Sequence, residues 1–392
     1  MSGAPEILFE LRGGVGFVLL NRPNALNALG LSLIEAFDAR LEAWATDPAV
    51  KAVVVRGAGE RAFCAGGDVR SIWEGGRTVG GPASDLFRRE YTLIRRIKVL
   101  PKPYIALVDG IAMGGGVGVC VHGSHRVATE RTMIALPETR IGLFPDVGSA
   151  HFLPRLPGAL GLYLGLTGVR LKAADALYAG LADHYVESAK LPELEAALAA
   201  ADWASGDPHA VASATIDAFA GDPNAAPLGE HRAAVDRCFG QDSVAAILAA
   251  LEAEGGDWAE RTLETLGACS PTSLKVTFEQ LRRGAALGFD DAMIMEFRLS
   301  QAFLARHDFH EGIRAIVIDK DNAPKWRPDT LAEITPDLVE RCPGAAWCCS
   351  SWRTRSWRSS PSRRRSRSIR SYPAPTSTPK RCAGKSKKTR SD

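Results

Sequence analysis

Two glycine-bearing turns and a few acids are the residues of this chain with the means to do chemistry. The first turn is AGGD, Ala65–Asp68, and the second is the triplet Gly114, Gly115 and Gly116. Each follows an apolar, strand-like run and opens a helix-like one. A glycine-rich turn at a helix start leaves backbone N–H groups bare. Downstream stand Glu138 behind Pro137 and Asp146 behind Pro145, acids on irregular turns that can be aimed into a pocket. Two N–H donors that meet a carbonyl oxygen stabilise the charge that grows there during acyl transfer. A carboxylate beside them can attack the carbonyl or activate water. One such turn alone would suit a phosphate equally well. Two turns with acids downstream are a more specific sign of acyl chemistry, with phosphate binding and tight packing left open by spacing alone.

A further acid, Glu90, falls within the helical pattern of Ala83–Leu100, on the same stripe as Leu86, Leu93 and Ile97. An acid on an apolar face needs a partner or a task. A salt bridge to a neighbouring arginine, or a place in a polar pocket, would each satisfy that requirement.

The elements that must position these groups read as alternating strands and helices. Ile7–Leu11 and Val15–Leu20 form a hairpin around Gly13 and Gly14. The turn NRPNALNAL, Asn21–Leu29, leads into an amphipathic helix with Ile34, Phe37, Leu41 and Trp44 on one stripe. Ala52–Val55 is wholly apolar, as a buried strand requires, and Tyr104–Val108 is a second such strand feeding the glycine triplet. Short helices are expected over Gly158–Thr167 and Leu171–Gly180. This alternation predicts an α/β class with a stacked or spiral sheet. From Leu191 to about Arg314 the pattern is helical and alanine-rich, and Ile316–Trp326 is a turn-rich end. The expected division is an α/β core over 1–190, a helical region over 191–340 and a tail over 341–392.

A hydrophobic content of 46% and a charge content of 24% suit a globular protein with a sizeable core. The net charge of +3 hides two materials: from Ser351 onward 14 of the 48 Lys and Arg meet one of the 45 acids, so the tail carries +13 and the remainder −10. An Arg/Ser-rich run such as WRTRSWRSSPSRRRSRSIRS is expected to be disordered. It reads either as a nucleic-acid-binding arm or, better, as a non-native extension from a shifted frame. For the folded body no nucleic acid and no membrane are expected, since no apolar run is long enough to span a bilayer. The eight cysteines show no CxxC pairing, as expected for reduced thiols. No secretion or transit signal is evident at the N-terminus, which predicts a cytoplasmic protein.

The residues then resemble a family. NRPNALNAL, RAFCAGGDV, KPYIALVDGIAMGGGVGV and the PE…GLFPD run are similar to the crotonase (enoyl-CoA hydratase/isomerase) superfamily. FRREY, SPTSLKVT, MEFRLSQ and HDFHEGIRAIVIDKDNAPKW resemble most its 3-hydroxyisobutyryl-CoA hydrolase branch, and the likeness covers about residues 6–340. The resemblance implies a spiral of ββα units with a helical C-terminal region, an acyl-CoA substrate and a place in valine catabolism. It implies an oxyanion hole from the N–H groups of Gly67 and Gly115, with Glu138 and Asp146 catalytic. Glu90, Gly115, Glu138 and Asp146 would bind the acyl part. Arg22, Ala25, Leu26, Ala65 and Gly66 would hold the coenzyme A nucleotide. No cofactor beyond the coenzyme A of the substrate is implied, and no metal; a homo-oligomer is left open. Hydratases of the superfamily carry a second glutamate twenty residues before the PE glutamate, where this chain has Gly118. Adding water to a double bond needs an acid and a base, so hydrolysis is favoured. A hydratase or isomerase, and a non-catalytic protein acting through its basic tail, are the alternatives. HDFHE (His307–Glu311) and HGSH (His122–His125) read as capping and packing rather than metal ligands. Cys64 reads as small-residue filling.

Overall fold

Three strand pairs, each divided between two sheets, organise the molecule. The computed structural model describes residues 4–335 and residue 339. All of these lie in one unit of the chain, Met1–Cys349; the tail expected over 341–392 lies outside the described residues. The strands are β1 (Ile7–Arg12), β2 (Val15–Leu20), β3 (Ala52–Gly57), β4 (Ala62–Cys64), β5 (Tyr104–Val108), β6 (Ile111–Met113), β7 (His125–Ala128), β8 (Met133–Ala135), β9 (Leu171–Lys172) and β10 (His184–Tyr185). The six-stranded sheet runs β1-β2-β3-β5-β7-β10, and the four-stranded sheet runs β4-β6-β8-β9. Consecutive strands β3 and β4, β5 and β6, and β7 and β8 therefore enter one sheet and then the other. This is the expected α/β spiral of ββα units.

The large sheet is parallel apart from the β1–β2 hairpin, with Val53 opposite Tyr104 and Leu107 opposite Val127. In the small sheet β4, β6 and β8 are mutually parallel, with Ala62 opposite Ile111 and Ile111 opposite Met133. Parallel neighbours end at the same edge, so the turns that leave β4, β6 and β8 emerge side by side. Those turns carry Gly67, Gly115 and Glu138 respectively. Here the structure corrects the reading of Tyr104–Val108 as the strand that feeds the triplet. The chain turns at Asp109 and Gly110 and makes β6 first, a strand too short to show alternation in sequence.

Helices close the faces. They are α1 (Leu31–Thr46), α2 (Val69–Glu74), α3 (Pro82–Val99), α4 (Gly115–Val121), α5 (Ser149–Phe152), α6 (Leu160–Thr167), α7 (Ala173–Ala179), α8 (Leu191–Ala200) and α9 (Pro208–Asp217). After these come α10 (Leu228–Phe239), α11 (Val244–Glu254), α12 (Gly256–Gly267), α13 (Pro271–Gly284), α14 (Phe289–Leu304) and α15 (His307–Ile313), which with α8 and α9 form the helical C-terminal region expected from Leu191 onward. The predicted stripe of α1 is buried: Ile34, Phe37, Leu41 and Trp44 are all hidden from solvent. Each contributes roughly 1.5–3 kcal/mol of apolar burial. Helix α3 opens on Pro82, carries Asp85 in its first turn and Arg96 and Lys98 in its last, an arrangement that complements the helix dipole. One face of the large sheet, with Val15, Phe17, Val54, Ile105 and Leu107, packs under Leu194 and Leu198 of α8 and Ile216 of α9. Among the described residues no helix is long and apolar enough to cross a membrane.

The Asn21–Leu29 turn is strapped to the first glycine turn. Ala65 N–H donates to Leu26 C=O at 3.0 Å, Leu29 N–H to Gly66 C=O at 2.8 Å, and Asp68 N–H to Leu29 C=O at 3.0 Å. Buried Asn27, at φ +56°, ties the strap down. Its Nδ2 donates to Ala58 and Ala62 carbonyls at 3.0 and 2.8 Å, and its Oδ1 accepts from Arg22 N–H at 3.0 Å. Replacing Asn27 by Ala strands these buried groups and places a side chain with no local hydrogen bond in a left-handed conformation. The variant is expected to lose about 2–4 kcal/mol of stability, read from the midpoint of urea unfolding.

Candidate active site

The edge of the small sheet where the three turns meet opens on a cleft of about 210 Å³. Ala65, Gly66 and Gly67 line it from the first turn, Gly114 and Gly115 from the second, Pro137, Glu138 and Asp146 from the third. Phe87 and Glu90 of α3 and Phe309 of α15 close it, and no Lys or Arg of the described residues lines it. Neither Gly67 N–H nor Gly115 N–H donates to another group among the described residues. The two backbones are close: a Cβ built on Gly115 would stand 3.1 Å from Gly67 N. It would also stand 2.0 Å from Glu90 Oε1, so only glycine fits there. The expected pair of free donors is thus brought together, with a carboxyl of α3 directly over it.

Four acids crowd together here: Glu90, Glu138 and Asp146 of the cleft are 3–4% exposed, and Glu296 of α14, behind the cleft lining, is fully buried. Neither oxygen of the Glu138 carboxyl accepts a hydrogen bond from another residue, and Glu90 Oε1 has no partner either. Burial, reinforced by the Asp146 charge, pushes both carboxyls well above the ordinary range. Asp146 is better served. Tyr91 Oη donates to its Oδ2 at 2.6 Å, and that bond offsets part of the burial that lifts its pKa to about 6. Glu296 is raised to about 8 by burial, against the opposing pull of the Ala150 and Gly148 N–H groups. The arrangement can polarise a carbonyl on two N–H groups and present it to a poorly solvated carboxyl, a combination suited to acyl chemistry.

The fate of each expected residue is plain. Gly67, Gly115, Glu90, Glu138 and Asp146 meet in one cleft, which no arginine of the described residues lines. Ala65 and Gly66 line the cleft, whereas Arg22, Ala25 and Leu26 lie in the adjoining strapped turn and outside its lining. The Arg22 guanidinium is already matched by Asp68 and Glu6, both at 3.1 Å. At Gly118 a Cβ would fall 2.7 Å from Val147 Cβ and 2.9 Å from Ile94 Cδ1, so the place of the absent second glutamate is filled. Burial pushes the Cys64 thiol up to about 12, which removes it as a nucleophile. His307 and His310 bond to the Lys325 and Leu304 carbonyls at 2.8 and 3.0 Å, as capping predicts.

Sequence reasoning missed Tyr91, Glu296 and a second, larger cavity. Glu296 lies within AMIMEFRLSQ, an acid among apolar neighbours, and carries the same signal that singled out Glu90. Tyr91 meets Asp146 across 55 positions, a pairing with no local signature. The second cavity, about 780 Å³, shares Met113, Pro137 and Ile141 with the cleft and is lined by Arg140, Arg170, Arg261 and Trp258.

Comparison with known proteins accords with this geometry. The profile of the enoyl-CoA hydratase/isomerase family matches residues 15–342. A Gallus gallus protein named 3-hydroxyisobutyryl-CoA hydrolase, mitochondrial, is 46% identical, the alignment covering 87% of this chain and 89% of that one. The Homo sapiens protein of the same name is 44% identical over 86% of this chain and 88% of its own. Among solved structures, a carnitinyl-CoA dehydratase from Mycobacterium thermoresistibile superposes with a TM-score of 0.81 at 43% identity, covering 86% of this chain and 96% of that one.

The crowded acids also govern stability. A carboxyl whose folded-state pKa lies above its unfolded value keeps a proton that the unfolded chain releases, so it subtracts from stability as pH rises above about 4.5. Glu138→Gln is therefore expected to raise the thermal midpoint at pH 7.5, and the gain should vanish toward pH 4. Calorimetry at the two pH values checks this; an equal gain at both would remove the burial argument.

Proposed function

The chain belongs to the enoyl-CoA hydratase/isomerase family, and from that premise we propose that it is an acyl-CoA thioester hydrolase acting on 3-hydroxyisobutyryl-CoA, the substrate in its relatives' names. The observation that carries the reading is Glu138: a buried carboxyl with no bond to another residue, beside two free N–H groups, in a cleft with no acid at position 118. The thioester oxygen accepts from Gly67 and Gly115 N–H, and both bonds strengthen as the carbon becomes tetrahedral. Glu138 first releases to solvent the proton that burial keeps on it, and its carboxylate then attacks that carbon; the C–S bond breaks, coenzyme A leaves as thiolate and takes up a proton, and water hydrolyses the resulting anhydride. In the other version Glu138 takes a proton from water, and the water oxygen attacks. Asp146 and Glu90 hold the 3-hydroxyl of the substrate or position the water.

The hydratase reading, which the names of some solved relatives bring forward, lacks the glutamate at position 118 that hydratases of the family carry. No shift of the Glu138 role supplies one, because Val147 and Ile94 occupy the space at Gly118. Valine breakdown follows from the proposed substrate. The expectation of a cytoplasmic protein is overturned, since the relatives' names read mitochondrial. That expectation rested only on the composition of the first residues, which does not outweigh those names.

The phosphates of coenzyme A need cations. Ala65, Gly66 and the Arg22–Leu26 turn stand where they can hold the pantetheine and nucleotide, but the Arg22 charge is matched within the protein. Arg140 and Arg170, with no ion pair among the described residues, face the adjoining cavity and supply the missing positive charge.

Three measurements test the proposal. Glu138→Gln should lower thiol release from 3-hydroxyisobutyryl-CoA by roughly a thousandfold or more, and retained activity would end both versions. After a single turnover in labelled water, label in Glu138 selects the anhydride and its absence selects the general base. Arg140→Ala combined with Arg170→Ala should raise KM for the full thioester about tenfold, with kcat unchanged. A truncated thioester without the nucleotide should show no such change. If only Arg22→Ala raises KM, the nucleotide lies on the strapped turn instead.

A further inference from the structure

Asp146 rests on a backbone that needs help to keep its shape. The next residue, Val147, is β-branched and stands at φ +52°, where a branched side chain is a steric outlier. Gly148 follows at φ +90°. Three buried side chains outside the cleft lining take hold of this turn. Glu296 accepts Gly148 N–H on Oε2 and Ala150 N–H on Oε1, both at 2.7 Å. Gln280 of α13 donates from Nε2 to Pro145 C=O at 2.7 Å. His122, just after α4, donates from Nε2 to Val147 C=O at 2.7 Å. A carbonyl only accepts, so Nε2 carries the proton. The His122 ring is itself seated edge-on against Phe289 and Phe152, at 5.0 and 5.7 Å between centroids.

These bonds fix the chain on both sides of Asp146, at Pro145 before it and at Val147, Gly148 and Ala150 after it. They arise from three separate elements, so no single helix movement releases them all. The carboxyl itself is aimed from the other side by Tyr91. We infer that Glu296, Gln280 and His122 form a clamp that holds the strained Pro145–Ala150 turn and thereby positions Asp146 for the reaction. They are positioning residues: none lines the cleft. The clamp explains why an acid is buried in α14 at all, since Glu296 satisfies two backbone donors that the strained turn leaves without helical or strand partners. The inference rests on the hydrolase reading only in that Asp146 must be the group whose placement matters.

Thiol release, with kcat and KM separated, tests it in the full chain. Asp146→Asn sets the loss expected when the positioned group is gone. Glu296→Gln keeps the shape but turns an NH₂ against one of the two backbone donors. It should lower kcat about tenfold or more while KM stays within about threefold, because the cleft walls are untouched. Adding Val147→Gly to Glu296→Gln should recover several-fold of the lost kcat, since glycine takes φ +52° without strain. A purely structural role for Glu296 predicts the reverse, because Val147→Gly also deletes a buried side chain, and a double variant no better than the single would overturn the clamp. Should Glu296→Gln not fold, Gln280→Met removes one donor at constant volume, and the same fall in kcat at constant KM is expected. Wild-type kcat in both Glu296→Gln and Gln280→Met, with Asp146→Asn inactive, would sink the clamp and leave the hydrolase reading standing. An active Asp146→Asn would remove the assigned role of Asp146, and the clamp with it.

Discussion

The parallel register of three very short strands is the constraint on which the site depends. β4, β6 and β8 have three residues each, too few to be stable as a sheet alone. They exist because each is the continuation of a longer, largely buried strand in the neighbouring sheet. Their shared direction brings Gly67, Gly115 and Glu138 to one edge from positions far apart in the chain. Any shift in register of β6 against β4 would move Gly115 away from Gly67 and separate the two N–H groups. The spiral is thus a device for setting three turns side by side, and the helices serve to hold its two sheets in place.

The second determinant is dryness. A cleft that holds several acids, with no lysine or arginine of the described residues in its lining, opposes its own ionisation, and the molecule is less stable for it at neutral pH. The same environment keeps a carboxylate poorly solvated, hence reactive toward carbon or toward a water proton. Asp146 differs from Glu138 because Tyr91 satisfies one of its oxygens. Two acids in one cleft are thereby raised above the ordinary range to different degrees. Stability given up in the cleft is recovered in the sheet core and in the amphipathic faces of α1 and α3.

Long, periodic elements were legible in the sequence, and so were the residues that meet in the cleft. The stripe of α1, the hairpin, the apolar strands β3 and β5 and the helical C-terminal region all follow from periodicity. The resemblance to the superfamily supplied the spiral, the expectation that Gly67 and Gly115 pair their N–H groups, and the hydrolase chemistry. β4, β6 and β8 were not legible, because three residues show no alternation. The tie between Tyr91 and Asp146 was hidden for another reason: hydrogen bonds across the fold leave no trace in local pattern. Glu296 is the instructive omission. The rule that an acid on an apolar stripe needs a task was applied to Glu90 and held equally for the acid in AMIMEFRLSQ.

The contact between Val147 and Gly118 bears on how such a protein can change its trade. A second carboxylate at 118 would collide with the turn that carries Asp146, and removing that turn would dismantle the placement of Asp146 before the new acid had a role. The two catalytic programmes therefore exclude one another sterically within a single backbone. A single substitution at 118 therefore meets the turn before anything has moved out of its way. A route that preserves function must move the 145–150 turn and fill position 118 together, which makes this one van der Waals contact a barrier to divergence rather than a detail of packing.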